Sequence, residues 1–264
     1  MYVFGPRPVD ASGRTMLQNS PARKQLSTPR LTAILVAEGI GTFLFVFIGA
    51  GSVVLGSHLN GGDAGGLVGV ALAHGLALAV LVSALGPISG GHFNPAVTFG
   101  VWITGNIDAA RAGMYVLVQL LGAAAGALAL RVVFNEASWV PVAIGTPAVD
   151  PAIGIAGAII VEAILTVVLL LAVFGTAIDR RAPKIGGLAI GLAVTADVLM
   201  GGPLTGAAMN PARWFGPAVA SGTFTDWYVW WIGPLVGAAV AALVYRYALE
   251  DRARADVTPA TPEG

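Results

Sequence analysis

The chain has 264 residues, 56% hydrophobic and 11% charged, with 14 Lys and Arg balancing 14 Asp and Glu. Soluble domains carry about 25% charged residues, so this is a membrane-protein composition, and zero net charge offers nucleic acid no electrostatic hold. There is no Cys, which excludes disulfides, thiolate metal sites and thiol catalysis.

Residues 1–30 are polar, contain Arg7, Arg14, Arg23, Lys24 and Arg30, and lack the apolar run of a secretory signal. They read as a disordered tail. Six apolar segments then reach the roughly 20 residues that spanning a bilayer requires. They are Leu31–Ser57, Gly66–Leu85, Ala109–Phe134, Ala152–Ala177, Ile185–Met200 and Trp227–Leu249. Two further apolar pieces, Asn94–Thr104 and Asn210–Ala220, are too short to span. They open on Asn94-Pro95-Ala96 and Asn210-Pro211-Ala212. Asn is a strong helix N-cap, Pro suits the first helical position, and Ala continues the helix. A helix start inside apolar territory leaves backbone N–H groups that lipid cannot satisfy. Both pieces therefore read as half-helices that enter the membrane part-way and line a water-filled cavity. Residues 250–264 form a second polar tail. Gly122 and Gly126, and Gly233 and Gly237, are spaced for close helix packing.

Lys and Arg sort the connections. The amino-terminal tail, the stretch with Arg180, Arg181 and Lys184, and the end with Arg246, Arg252 and Arg254 are basic, and Arg111 adds one charge after the first half-helix. Residues 58–65, 135–151 and 221–226 contain neither Lys nor Arg. The positive-inside rule puts both termini in the cytoplasm, as an even number of spans requires. The chain also repeats. Glu38-Gly39-Ile40-Gly41-Thr42 opens the first half and Glu162-Ala163-Ile164-Leu165-Thr166 answers it in the second. Three spans per half reverse the orientation, so the repeats, about 31–134 and 152–249, are inverted, a device that builds a site at the midplane. The predicted fold is an all-α membrane protein of six spans and two re-entrant half-helices, one domain over 31–249.

Ser89-Gly90-Gly91-His92-Phe93-Asn94-Pro95-Ala96-Val97-Thr98 and Asn210-Pro211-Ala212-Arg213, followed by Phe215-Gly216-Pro217-Ala218, resemble the paired loops of the aquaporin (major intrinsic protein) family. The resemblance covers roughly residues 33–249. It implies that the half-helices meet end to end, with the amides of Asn94 and Asn210 directed into a pore. It also places Arg213 in a constriction on the outer side. The other constriction positions fall on His74, Val198 and Ala207. Water-selective members place an aromatic residue, a His and a small polar residue there. The order His, aliphatic, Ala, Arg is similar to plant vacuolar-type members linked to ammonia and urea. Trp214 stands where the glycerol-channel branch has Asp and where Ser is usual, and Trp230-Trp231 keeps the aromatic pair typical of water channels.

The resemblance implies passive permeation of water together with ammonia, urea or hydrogen peroxide, excluding protons and ions. It further implies a homotetramer in membrane lipid, read here as the cell membrane. His92 is expected at the cytoplasmic mouth. Glu38 and Glu162 are expected to accept hydrogen bonds from the loop backbone beside each half-helix, since no chain of titratable groups makes them a proton relay. A lone His in an apolar helix is commonly a packed, hydrogen-bonded residue; at the aligned position of His74 the pore-lining role is favoured. Asp197 has three placements open to it: a subunit interface, a pairing with Arg213 or His74, or headgroup depth. A glycerol facilitator and an ion-coupled secondary transporter are the alternative functions. No activated nucleophile, metal set or cofactor loop points to an enzyme. Without Cys, mercurials should leave water flux in proteoliposomes unblocked. Stopped-flow swelling measures this, and strong inhibition would contradict it.

Overall fold

The structure is a computed structural model that describes residues 29–59, 66–179, 183 and 185–249. The two tails proper, the linker 60–65 and the cations Arg180, Arg181 and Lys184 lie outside the described residues. Everything described from Leu31 onward is helix or helix connection. The first half contains α1 (Leu31–His58), α2 (Gly66–Ser89), α3 (Pro95–Ile103) and α4 (Ala109–Val133). A short helix, α5 (Glu136–Trp139), and a 3-10 turn (Val140–Gly145) lead into the second half. That half contains α6 (Gly154–Val173), α7 (Gly186–Thr205), α8 (Pro211–Ser221) and α9 (Val229–Val244). Single π-helical turns extend α6 to Ile178 and α9 to Leu249. Among the described residues, six helices are long and apolar enough to cross a membrane, α6 and α9 with their π turns included. None has a polar outer face. Val80, Leu121, Ile160, Ile164 and Leu192 are each more than half exposed on the outside of the bundle. Exposed aliphatic side chains on every span suit lipid as the surrounding solvent.

The packing repeats under exchange of the halves. Helix α1 packs on α4 as α6 packs on α9, and α1 meets α2 as α6 meets α7. The half-helices cross over, α3 against α9 and α8 against α4, and α2 and α7 face each other. These contacts depend on missing side chains. A Cβ on Gly122 would lie 2.3 Å from the carbonyl oxygen of Gly39, and one on Gly237 would lie 2.2 Å from that of Ala163. At the central contact, a Cβ on Gly191 of α7 would lie 2.3 Å from the carbonyl oxygen of Gly75 in α2. In lipid, close backbone approach of this kind supplies the packing that hydrophobic contrast cannot.

Three sequence expectations shift. Helix α2 continues to Ser89, not Leu85, and α7 to Thr205, not Met200. Gly86-Pro87 and Gly201-Gly202-Pro203 look like breakers, yet Pro removes only one helical hydrogen bond and both helices run through it. The half-helices start at Pro95 and Pro211, with Asn94 and Asn210 outside as caps. The connection 135–151 is partly helical. It contains consecutive left-handed residues Ala143 (φ 45°), Ile144 (φ 57°) and Gly145 (φ 69°), which composition did not announce.

Gly126 gives a test of this packing, because a Cβ there would meet the carbonyl oxygen of Phe43 at 2.5 Å. Gly126→Leu should lower stability in detergent by about 1–3 kcal/mol, measured by thermal unfolding. Gly56→Ala, whose Cβ meets nothing within 4 Å, should leave stability unchanged or raise it.

Candidate functional site

The two half-helices meet inside the bundle, and the cap residues join them. Asn94 is extended (φ −159°, ψ 120°), and its Oδ1 accepts from the N–H of Ala96 at 2.8 Å and of Val97 at 3.4 Å. Asn210 (φ −154°, ψ 107°) accepts from Ala212 at 2.9 Å and Arg213 at 3.3 Å. The amide nitrogens cross over. Asn94 Nδ2 donates to the carbonyl of Met209 at 2.9 Å, and Asn210 Nδ2 donates to the carbonyl of Phe93 at 3.0 Å. Each caps its own helix and holds the residue before the opposite cap. A side-chain amide has two N–H groups, so the crossing bond leaves one on each Asn rather than the whole donor set.

The loops that present these caps are strained and anchored. Phe93 (φ 48°), Ala207 (φ 42°) and Met209 (φ 51°) are left-handed without being glycine. Such residues cost of order 1–3 kcal/mol each unless their surroundings impose the conformation. Two buried carboxylates impose it here. Glu38 accepts from Ser89 Oγ at 2.7 Å, the N–H of His92 at 3.0 Å, the N–H of Phe93 at 2.8 Å and Gln119 Nε2 at 2.9 Å. Glu162 accepts from Thr205 Oγ1 at 2.7 Å and from the N–H groups of Ala208 at 2.9 Å and Met209 at 2.7 Å. A carboxylate met by several N–H and O–H donors is the usual way to keep backbone satisfied where water is scarce.

Arg213 sits directly after the second Asn-Pro-Ala and is only 3% exposed. Its Nε donates to His74 Nε2 at 2.9 Å and its Nη1 to the carbonyl of Gly145 at 2.9 Å. That carbonyl comes from the left-handed turn after α5. Glycine suits the place, because φ is 69° and a Cβ would sit a tight 3.1 Å from the carbonyl oxygen of Ala50. His74 Nδ1 lies 2.8 Å from the carbonyl of Val70, four residues back on α2. A ring that meets a carbonyl at Nδ1 and an N–H donor at Nε2 is neutral and carries its proton on Nδ1. The ring fits only because Gly49 faces it, where a Cβ would lie 2.6 Å from its atoms.

Two cavities flank the Arg213–His74 contact, one lined by each partner. An inner one of about 260 Å³ is bounded by Asn94, Asn210, His92, His74 and Ala207, and it reaches Arg111 at its end. An outer one of about 550 Å³ is bounded by Arg213, Val198, Gly145 and Thr146. The four constriction candidates divide between the two cavities, His74 and Ala207 on the inner and Val198 and Arg213 on the outer. His92 lies on the inner cavity with Nδ1 3.1 Å from Thr98 Oγ1, its ring edge-on to Tyr115 at 5.1 Å.

Asp197 is 3% exposed within the single chain, which removes it from a subunit face. No ion pair joins it to Arg213 or His74 among the described residues, and its Oδ2 has no hydrogen-bond partner. Trp214 is stacked on Trp230, centroids 5.7 Å apart and planes 8° apart, and Trp230 Nε1 donates to the carbonyl of Thr205 at 3.0 Å. Sequence reasoning passed over Gln119, Tyr115 and Gly145. Gln119 carried a signal, being an uncharged polar side chain in the middle of an apolar span. Gly145 carried none.

Residues 25–245 match the family model for "Major intrinsic protein". The chain is similar to "Aquaporin TIP4-4" of Zea mays, 47% identical over 216 residues, covering 80% of this chain and 84% of the relative. It is similar to "Probable aquaporin TIP2-1" of Oryza sativa subsp. japonica, 45% identical over 221 residues, covering 80% and 85%. Among solved structures it resembles the aquaglyceroporin from Plasmodium falciparum, with a TM-score of 0.73 and 27% identity over 83% of this chain and 97% of that one. With six apolar spans and these relatives, the protein is an integral, multi-pass membrane protein. The chain belongs to the major intrinsic protein family, the aquaporins.

Proposed function

We propose that the chain is a passive channel for water that also admits small neutral solutes, ammonia, urea and hydrogen peroxide among them, and that the neck at Arg213 sets the selection. One observation carries this reading: the Asn94 and Asn210 amides cross at the meeting of two helix N-termini, on the wall of a continuous inner cavity. The N–H left on each Asn can donate to the oxygen of a passing water, so its hydrogens turn away along the path. The helix ends add roughly half an elementary charge each, which opposes cations and interrupts a proton-conducting chain of water.

The filter chemistry follows from donor accounting. A guanidinium has five N–H groups. Arg213 spends one on His74 and one on Gly145, and the rest are available to replace part of a solute's hydration. Both ring nitrogens of His74 are engaged within the protein, so the ring contributes shape and no spare donor. Val198 contributes an aliphatic wall. A neck with one cationic donor group and otherwise apolar sides suits small neutral molecules.

The second reading is a glycerol facilitator, favoured by the likeness to the aquaglyceroporin and opposed by Trp214 in place of the Asp of that branch. An ion-coupled transporter would need a carboxylate on the path, and Asp197 lines neither cavity. The basic ends support cytoplasmic termini, and the family pattern supports a homotetramer with one path per subunit. The relatives carry the TIP designation, and the filter order resembles vacuolar-type members. In a cell with a vacuole, that membrane is the proposed address in place of the cell membrane. Stopped-flow swelling of proteoliposomes with water, glycerol, urea and ammonia tests the filter. His74→Phe combined with Val198→His should cut urea flux roughly tenfold while keeping water. Arg213→Val should loosen selection. Unchanged solute ratios in both would refute the assignment, and saturable uptake driven by an ion gradient would refute the channel.

A further inference from the structure

Outside the pore, a groove of about 300 Å³ runs between α4 and α9 over the outer side of α3. It exists because α3 is a half-helix: a full span would fill the place, whereas nine residues leave it recessed between two longer neighbours. Its walls are Phe99 and Trp102 of α3, Gly113 and Val116 of α4, and Trp231 and Leu235 of α9. Trp102 is 42% exposed, and Phe99 and Trp231 are half-buried. The length of α3 is informative. Nine residues at 1.5 Å each give about 14 Å, close to half of the ~30 Å hydrocarbon core. The groove therefore has the depth of one leaflet.

One charge lies just past its rim, beyond the lining residues. Arg246, half-buried at the end of α9, donates through Nη1 to the carbonyl of Ile103 at 3.3 Å, next to Trp102 in the groove wall. Its Cζ stands 5.8 Å from the ring of Tyr247. A guanidinium has five donors, and this bond to the end of α3 uses one of them.

We propose that the groove is a binding site for a phospholipid of the cytoplasmic leaflet with an anionic headgroup. One acyl chain lies along α3 from Trp102 toward the midplane, and the phosphate meets Arg246. The leaflet follows from the basic-loop orientation given above, and the site is independent of what the channel conducts. Arginine matches phosphate by paired N–H donors, and an aromatic residue at headgroup level anchors the rim.

Native mass spectrometry of the full-length protein in non-ionic detergent tests this, with phosphatidylglycerol or phosphatidylcholine of identical chains titrated in. The first phosphatidylglycerol per subunit should bind about fivefold more tightly than phosphatidylcholine. Arg246→Gln should bring the two to parity. Gly113→Leu should plug the groove and abolish first-lipid binding of either. A Cβ at Gly113 meets nothing within 4 Å, so the first atom of the new side chain enters open space. Equal affinity for both lipids in the unaltered chain, or unchanged binding in Gly113→Leu, would overturn the proposal. Loss of subunit assembly in Gly113→Leu with lipid binding intact would assign the groove to a second copy of the chain.

Discussion

Everything in this molecule answers to one constraint: two helix N-termini lie inside a bundle whose outer surface is apolar, where backbone N–H groups have no bulk water to turn to. The solution is reciprocal. Asn94 and Asn210 each cap their own half-helix through the side-chain oxygen and bind the opposite loop through the nitrogen. Neither loop can shift alone, because each holds the other's residue in the left-handed conformation that aims the cap. The carboxylates of Glu38 and Glu162 complete the support from behind.

The two supports share a plan and differ in material. Behind the first loop the network is polar: His92 reaches Thr98, Thr98 accepts from Gln119 at 3.0 Å, and Gln119 donates to Glu38. The fourth position after the cap, Thr98 in the first half, is Trp214 in the second, and there the support is an aromatic stack with Trp230. Tyr115 and Trp230 play matching parts, each donating to the carbonyl of the residue that ends the preceding span, Ser89 or Thr205. The polar version lies behind the inner cavity, which His92 and Tyr115 line. The aromatic version stands beside Arg213.

Much of this was legible in the residues. Length and hydropathy separated spans from half-helices, because a bilayer imposes a minimum length that nine or eleven residues cannot meet. Asn-Pro-Ala announced helix starts, since capping is local chemistry. Helix ends were less legible at Pro87 and Pro203, where tertiary contacts hold a helix through a residue that would end it in isolation. Asp197 stayed ambiguous because burial is a property of the packed bundle.

The sequence by itself determined the repeat, the inversion, the two cap motifs and the membrane setting, all of which follow from local periodicity and charge counting. Only the tertiary structure decided which partners Arg213 takes. Arg213 faces His74 and Gly145 across 139 and 68 positions of chain, and such partnerships depend on how helices cross rather than on neighbours in sequence. The same crossing decided that the Asn-Pro-Ala amides spend one N–H on each other's loops. A cap motif states which backbone it can satisfy, but a second partner is chosen only when the two halves meet.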